Sequence, residues 1–429
     1  MKTKFNKLEL HEDRVVDALR TITVDDLSSD KPENKTTIRA SSPMMERLWQ
    51  VALSDVEKCI HEKEGRRVLS AGATFGVYTR DVAYANILGI NDLFPEVAWS
   101  SIVFTREYLY DTFGYKVPKG YVLADAFENI PWEVQDVPAY DPKADIDWNR
   151  TYHSFPVATD DVCWLWAMGD MMEKSELDED KLRWIHRYGN AYNERYYKFF
   201  LDPEDGLYRG QATFVDVGGT GYPDSWSKVD QVHAKYLSTN ALYVKGFRVM
   251  AEVCTRLKLN EEARSWTDKA EILREKLRST FLLADGSLVH VKTPDGYIDG
   301  RQHNLSIAFA ILCDVVTPEE GKEAIQWYPI TDIGVPLFYP IFDGRIGYHN
   351  HTCWPFADTF FLKAKEIATG EDLTALNAAL LARTCIDDGT FHEVVSIRGK
   401  GEPYGSGSQL WTAAALIDVC RRANLIEAK

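Results

Sequence analysis

The stretch LSIAFAILCDVV (305–316) decides the fold, together with VCWLWAMGDMM (162–172), because each is apolar on more than one face. A helix of that kind needs protein on nearly every side and belongs in an inner layer. Close by in the chain, NEEARSWTDKAEILREKLRS (260–279) is amphipathic and rich in charge, as a helix on the outside would be. Working outward from these three, 3.6-residue periodicity predicts twelve helices, over about 43–62, 80–90, 94–112, 158–175, 178–200, 232–258, 260–281, 302–315, 317–327, 353–369, 371–388 and 407–424. Inner and outer types alternate along this series. The pattern predicts helical hairpins in two concentric rings, an all-α (α/α)6 toroid filling residues 43–429 as one domain. Residues 1–42, with short β-like pieces around LEL and RTITV, are expected to form an N-terminal arm or small β-segment. No sharp internal repeat is visible, which argues against a sequence-level solenoid.

Composition narrows the classes of function. The net charge of -16 and a pI near 5.2 argue against nucleic acid or an anionic membrane as partner, since phosphate binding needs clustered Lys and Arg. No stretch approaches the roughly 18 apolar residues of a membrane span, and the N-terminus lacks an apolar signal core, so a cytoplasmic protein is expected. The seven cysteines are scattered, odd in number and free of CxxC spacing, which fits reduced, buried thiols. His349 and His351 alternate instead of sharing a helical face, and neither HExxH nor a Cys/His ligand spacing occurs, so no metal is expected. No GxGxxG or phosphate-cradling loop is present, and no cofactor is expected.

The connections sort into two kinds. Short ones lie at 174–180, 258–260, 313–318 and 368–372, and long ones at 63–80, 113–157, 201–231, 328–353 and 388–406. If helices alternate in direction, all five long loops open at one end of the ring. Long loops in a compact domain are usually functional. These carry Tyr78, Arg80 and Asp81; Trp132, Glu133, Trp148 and His153; Asp216, Asp224 and Trp226; Tyr348, His349, Asn350, His351 and Trp354; and His392 and Glu393. Aromatic rings offer flat faces to the C–H surface of a sugar, while carboxylates, Arg and His bond its hydroxyls.

Glycoside hydrolysis needs one protonated and one ionised carboxyl. Glu393 precedes a Gly/Ser/Pro loop that runs into a helix beginning at Gln409-Leu410-Trp411, which holds an acidic side chain at the open end of the scaffold. The segment DGLYRGQATFVDVGGTGYPDSW (205–226) offers Asp216 and Asp224 as the acid. Asp216 is favoured, because the run ATFV should bury its surroundings and burial raises a carboxyl pKa. Asp224, after Pro223, fits a turn better.

Several of these motifs together resemble the six-hairpin (α/α)6 glycosidases: glucoamylases, the glucosidase half of glycogen debranching enzymes, trehalases and family 63 hydrolases. VYTRDVAYA (77–85) is similar to their loop that binds sugar hydroxyls, which implies that role for Tyr78, Arg80 and Asp81. GYHNHTCWPF (347–356) resembles their Tyr-His-Asn…Trp-Pro motif, and 392–416 their terminal Glu…Gly…Gln-x-Trp-x-x-Ala pattern, which carries the general base. The resemblance spans about 44–424. It implies binding roles for Tyr348, His349, Asn350, Trp354, Gln409 and Trp411, while Trp132, Asp224 and Trp226 are expected to bind sugar from their place in the long loops. The Ser-Gly-x-Asp-x-Ser setting of the acid in trehalases and family 63 is out of register here, so Asp216 and Asp224 both stay open.

The function expected is inverting, exo-acting hydrolysis of a short, α-linked glycoside, with Glu393 as base, Asp216 as acid and a small carbohydrate as partner. The two carboxyls of such a pair stand roughly 6.5–9.5 Å apart. Alternatives from the same residues are a phosphorylase using Arg398, Lys400 and the GSGS amides, an epimerase using His349, His392 and His153, or a sugar-binding protein without catalysis.

Overall fold

The computed structural model describes residues 8–40, 42–63, 65–73, 76–113, 117–118, 134–135, 160–197, 200–215, 220–342, 346–385, 388–399 and 401–427. Twelve helices among them make the body: α1 (Pro43–Lys58), α2 (Thr79–Ala85), α3 (Pro95–Phe113), α4 (Asp160–Lys174), α5 (Glu179–Tyr192), α6 (Leu237–Arg256), α7 (Asn260–Phe281), α8 (Asn304–Leu312), α9 (Pro318–Ile325), α10 (Pro355–Thr369), α11 (Thr374–Ala382) and α12 (Leu410–Arg422). Each corresponds to one of the helices expected from periodicity. The even-numbered helices form a closed inner ring: α2 packs on α4, α4 on α6, α6 on α8, α8 on α10, α10 on α12, and α12 returns to α2. The odd-numbered helices lie outside, as with α7 against α6, α1 against α12 and α11 against both α10 and α12.

Burial follows the patterning that suggested the rings. Every residue from Asn304 to Ile311 of α8 and from Leu410 to Cys420 of α12 is buried. Helix α7 buries only Ala263, Trp266, Ala270, Leu273, Leu277 and Phe281, three or four residues apart, and turns its charges to water. Helix ends carry the expected chemistry. Thr317 and Glu320 form a reciprocal capping box ahead of α9, and Ser42 caps α1 with Pro43 in the first turn. Gly370 ends α10 in the left-handed region, at φ 74°.

Short links (175–178, 257–259, 313–317 and 370–373) close one end of the toroid. The long connections all enter at the N-termini of the inner helices, so they share the other end. Two features go beyond the sequence reading. A sixth long connection, 282–303, joins this end, and its strands Val291–Lys292 and Ile298–Asp299 build a small antiparallel sheet with Lys235–Tyr236. The stretch after Glu393 is also more ordered than a plain loop. Val394–Ser396 pairs with Thr352–Cys353 on one side and with Pro403–Tyr404 on the other, in a three-stranded sheet that couples two of the site loops.

The arm carries a three-stranded meander (Glu9–Leu10, Arg14–Val16, Thr21–Thr23) that lies beside α11. All seven cysteines are buried free thiols. No helix among the described residues is long and apolar enough to cross a membrane.

Candidate active site

The first side chains of the site come from helix starts. Tyr78 is the extended residue before α2, and Arg80 and Asp81 occupy its buried first turn. Asp81 there sits at the positive end of the helix dipole. Trp354 holds the same position before α10, and Gln409 before α12. This common design aims three inner-helix starts at one space.

Aromatic packing builds the wall. Trp411 stacks on Phe356 at 4.0 Å between centroids, and Trp354 meets Trp411 edge-on at 5.8 Å. His349 lies parallel to Trp354, 5.4 Å away, and Phe214 stands edge-on to Trp354 at 4.9 Å. The Trp354 indole N–H donates to the Tyr348 carbonyl at 3.0 Å, which fixes the ring and the loop together. Tyr348, at the rim, is 36 % exposed and stands edge-on to Trp354. The Gln409 amide orientation that satisfies its neighbours donates to the Ala71 carbonyl and to Ser406 Oγ and accepts from Trp411 Nε1 at 3.2 Å.

Glu393 stands immediately before strand Val394–Ser396 and is 8 % exposed. Tyr404 lies beside it; burial and the Glu393 charge push the Tyr404 hydroxyl up to about 12. Gly405, directly after Tyr404, lies close against the carboxylate: a Cβ there would lie 2.5 Å from Glu393 Oε2. These surroundings hold the acid to one placement.

Together Ala71, Tyr78, Arg80, Asp81, Phe214, Tyr348, His349, Trp354, Glu393, Gln409 and Trp411 line a cavity of about 150 Å³. That is space for about five water molecules at roughly 30 Å³ each, on the scale of one sugar ring. Two larger grooves, of about 400 and 450 Å³, lie where residues 31–38 of the arm meet α1 and the 60–69 hairpin. Neither brings a carboxylate together with stacked aromatic rings, so chemistry and not size singles out the smaller cavity.

Nine of the expected site residues meet in this cavity: Tyr78, Arg80, Asp81, Tyr348, His349, Trp354, Glu393, Gln409 and Trp411. Others stand elsewhere. Asn350 is buried, with its amide accepting from the Phe342 N–H at 3.1 Å and donating to the Phe342 carbonyl at 3.0 Å. Asp224 is exposed in a turn outside the cavity, and Trp226 lines a separate crevice with Arg301 and Phe342. His392 faces Asp388 at 3.3 Å. Asp216, Trp132, Glu133, Trp148 and His153 lie outside the described residues, as does Lys400.

Two contributors were missed in the sequence. Phe214 belongs to the ATFV run, whose four residues are all buried, and only the folded chain shows its ring facing the cavity. The sixth connection supplies His290 and His303, stacked at 4.7 Å and fully buried behind His349. Burial, helped by the Arg301 charge, pushes His290 down to about 3; burial and the neighbouring imidazoles hold His303 well below the ordinary histidine range. Both are neutral props of the wall. The alternation LVHV (288–291) was the available signal.

One group of potential metal-ligand atoms stands together among the described residues. His186, Cys254 and Glu262 have ligand atoms within 4.8 Å of one another, and Cys254 sits in the last turn of α6, at the end away from the cavity.

Comparison with solved structures gives the fold its relatives. A wild-type glycosidase superposes with a TM-score of 0.59 at 16% identity, over 90% of this chain and 99% of its own. The neutral trehalase of Saccharomyces cerevisiae gives 0.56 at 13% identity, over 85% of this chain and 78% of that one. The GH78 family rhamnosidase of Bacillus sp. GL1 gives 0.53 at 16% identity, over 90% of this chain. The chain has the fold of the six-hairpin glycosidases. It spans about a third of the rhamnosidase, 35% of its length. No protein-family model matches the sequence, and no curated protein matches it.

Proposed function

We propose that this protein is an inverting glycoside hydrolase acting at the end of a short, α-linked glycoside. The observation that carries the reading is the convergence of Glu393, Arg80 and Asp81 with an aromatic wall, at the N-terminal ends of the inner helices. In this reading the aromatic rings stack on the sugar, and Arg80 and Asp81 bond its hydroxyls. Glu393 is the general base that draws a proton from the attacking water.

Asp216 is the proposed acid. It follows Val215 directly in the chain, and Thr220, four residues beyond it, accepts the His349 N–H at 2.9 Å. Both flanks of the Asp216 segment therefore border the cavity wall, whereas Asp224 stands exposed in its turn. We take residues 43–429 as the catalytic unit. The arm braces it, since the Ser28 N–H donates to the Gly389 carbonyl at 3.0 Å, in the approach to Glu393.

The test is a panel of p-nitrophenyl α- and β-glycosides and disaccharides assayed with wild type, Glu393→Gln and Asp216→Asn. Each substitution should lower kcat by about 10²–10⁴-fold at unchanged folding. Full activity in either variant would remove that residue from the mechanism. Turnover that requires inorganic phosphate would replace hydrolysis by phosphorolysis.

A further inference from the structure

The apolar face of α1 contains one acid. Asp55 lies among Leu48, Val51, Ala52 and Val56 and is completely buried. A carboxylate in such a place is costly unless its oxygens are occupied. They are. One oxygen accepts the Phe391 N–H at 2.9 Å and the other accepts the Ser408 hydroxyl at 2.9 Å.

Those two donors are the feet of the hairpin that carries Glu393. Phe391 is two residues before Glu393, and Ser408 directly precedes Gln409 at the start of α12. The feet are also laced to each other: the Gln409 N–H donates to the Phe391 carbonyl at 2.9 Å, and the Ser408 N–H to Thr390 Oγ1 at 3.0 Å. Asp55 reaches both feet from α1, in the outer ring, and so ties them together to the scaffold; the Cys59 thiol at the end of α1 adds a contact to one foot, donating to the Ser408 carbonyl at 3.2 Å. Lys58, 3.6 Å away, spends its closer contact on Asp30 at 2.8 Å.

We propose that Asp55 is a positioning residue for Glu393, setting the depth of its carboxylate in the cavity by holding both feet of the hairpin. The proposal rests on the functional reading of Glu393 given above. Asparagine at position 55 can accept the Phe391 N–H but meets Ser408 with an N–H, so the hydroxyl must turn to accept and both charge-assisted ties become weaker neutral ones. Removing the Ser408 hydroxyl cuts one tie and leaves Asp55 in place.

The experiment compares wild type, Asp55→Asn and Ser408→Ala in two ways. Amide hydrogen exchange should rise in peptides covering 388–393 and 405–410 in both variants, while α4, α6 and α8 keep their protection. On whichever p-nitrophenyl glycoside the wild type hydrolyses, kcat per folded molecule should fall about 10²-fold in Asp55→Asn, as a displacement near 1 Å costs, with KM within about threefold. Ser408→Ala should show the same split, smaller. Unchanged exchange at the two feet, or a native kcat with the feet loosened, would overturn the proposal. If Asp55→Asn loses protection throughout, Ser408→Ala decides by the same criteria. Absence of any hydrolysis by wild type, or full activity in Glu393→Gln, would instead defeat the reading of the site, and exchange alone would still judge the role of Asp55.

Discussion

Replacing Gly405 by alanine should disable Glu393 without unfolding the protein. Gly405 has φ +82°, and an added Cβ would lie 2.5 Å from Glu393 Oε2 and 2.8 Å from its Cβ. Ordinary carbon contacts are about 3.5–4.0 Å, so the Glu393 side chain must retreat by about 1 Å. A general base displaced that far loses about 10²-fold in rate. The left-handed backbone adds about 1–2 kcal/mol of strain. At about 2.1 cal/mol/K per residue over 429 residues, that lowers Tm by only about 1–2 °C. Gly370 provides the control, with φ +74° and open space where its Cβ would go. Gly370→Ala should cost the same strain and leave kcat intact. The assay is kcat and calorimetric Tm for both variants. Equal kcat in the two, or a Gly405→Ala value within twofold of wild type, would refute the argument that contact with Glu393 matters.

Two further perturbations test the buried charges. Burial pushes the Asp55 carboxyl from 3.8 to about 6, opposed by its hydrogen bonds from Phe391 and Ser408 and by the Lys58 charge, with Asp388 acting in the same sense as burial. A raised carboxyl holds its proton more tightly in the folded state, so its stabilisation is full below pH 3.8 and is lost as pH rises through about 6. At 1.36 kcal/mol per pH unit the loss is about 3 kcal/mol. Chemical denaturation of Asp55→Asn and wild type from pH 4 to 7 should therefore diverge by about that amount in favour of the variant; parallel curves would contradict it. On α12, Asp418 is fully buried and held far below the usual carboxylate range against desolvation by Lys363, Arg422 and Arg421. Asp418→Asn leaves those cations facing one another and should cost about 3–5 kcal/mol, or about 3–5 °C in Tm. A loss below 1 °C would mean the cations reach solvent instead.

The twelve helices were legible because an inner ring must be apolar all round and an outer one on a single face, and LSIAFAIL and NEEARSWTDKAEIL state that contrast directly. The site loops were legible for a related reason: Arg80 and Asp81 open α2, His349 lies shortly before α10, and Glu393 precedes the Gly/Ser loop that leads into α12, all outside the apolar runs. What escaped depends on tertiary pairing. The strand at Val394–Ser396 is three residues long, with Gly residues soon after it, and one of its two partners, Thr352–Cys353, lies more than 40 positions away. Asp55 escaped because a single acid within a helix usually faces water. Its register with Leu48, Val51 and Ala52 was the available clue. Asn350 shows the converse: it matched a motif, and the fold turns its amide to the Phe342 backbone.

The central claim is that water, activated by Glu393, attacks the anomeric carbon opposite the leaving group. Proton NMR of the sugar first released, followed within the time of mutarotation, tests this most directly. From an α-linked glycoside the account predicts the β-anomer with wild type and negligible release with Glu393→Gln. First appearance of the α-anomer, or undiminished release by Glu393→Gln, would contradict it.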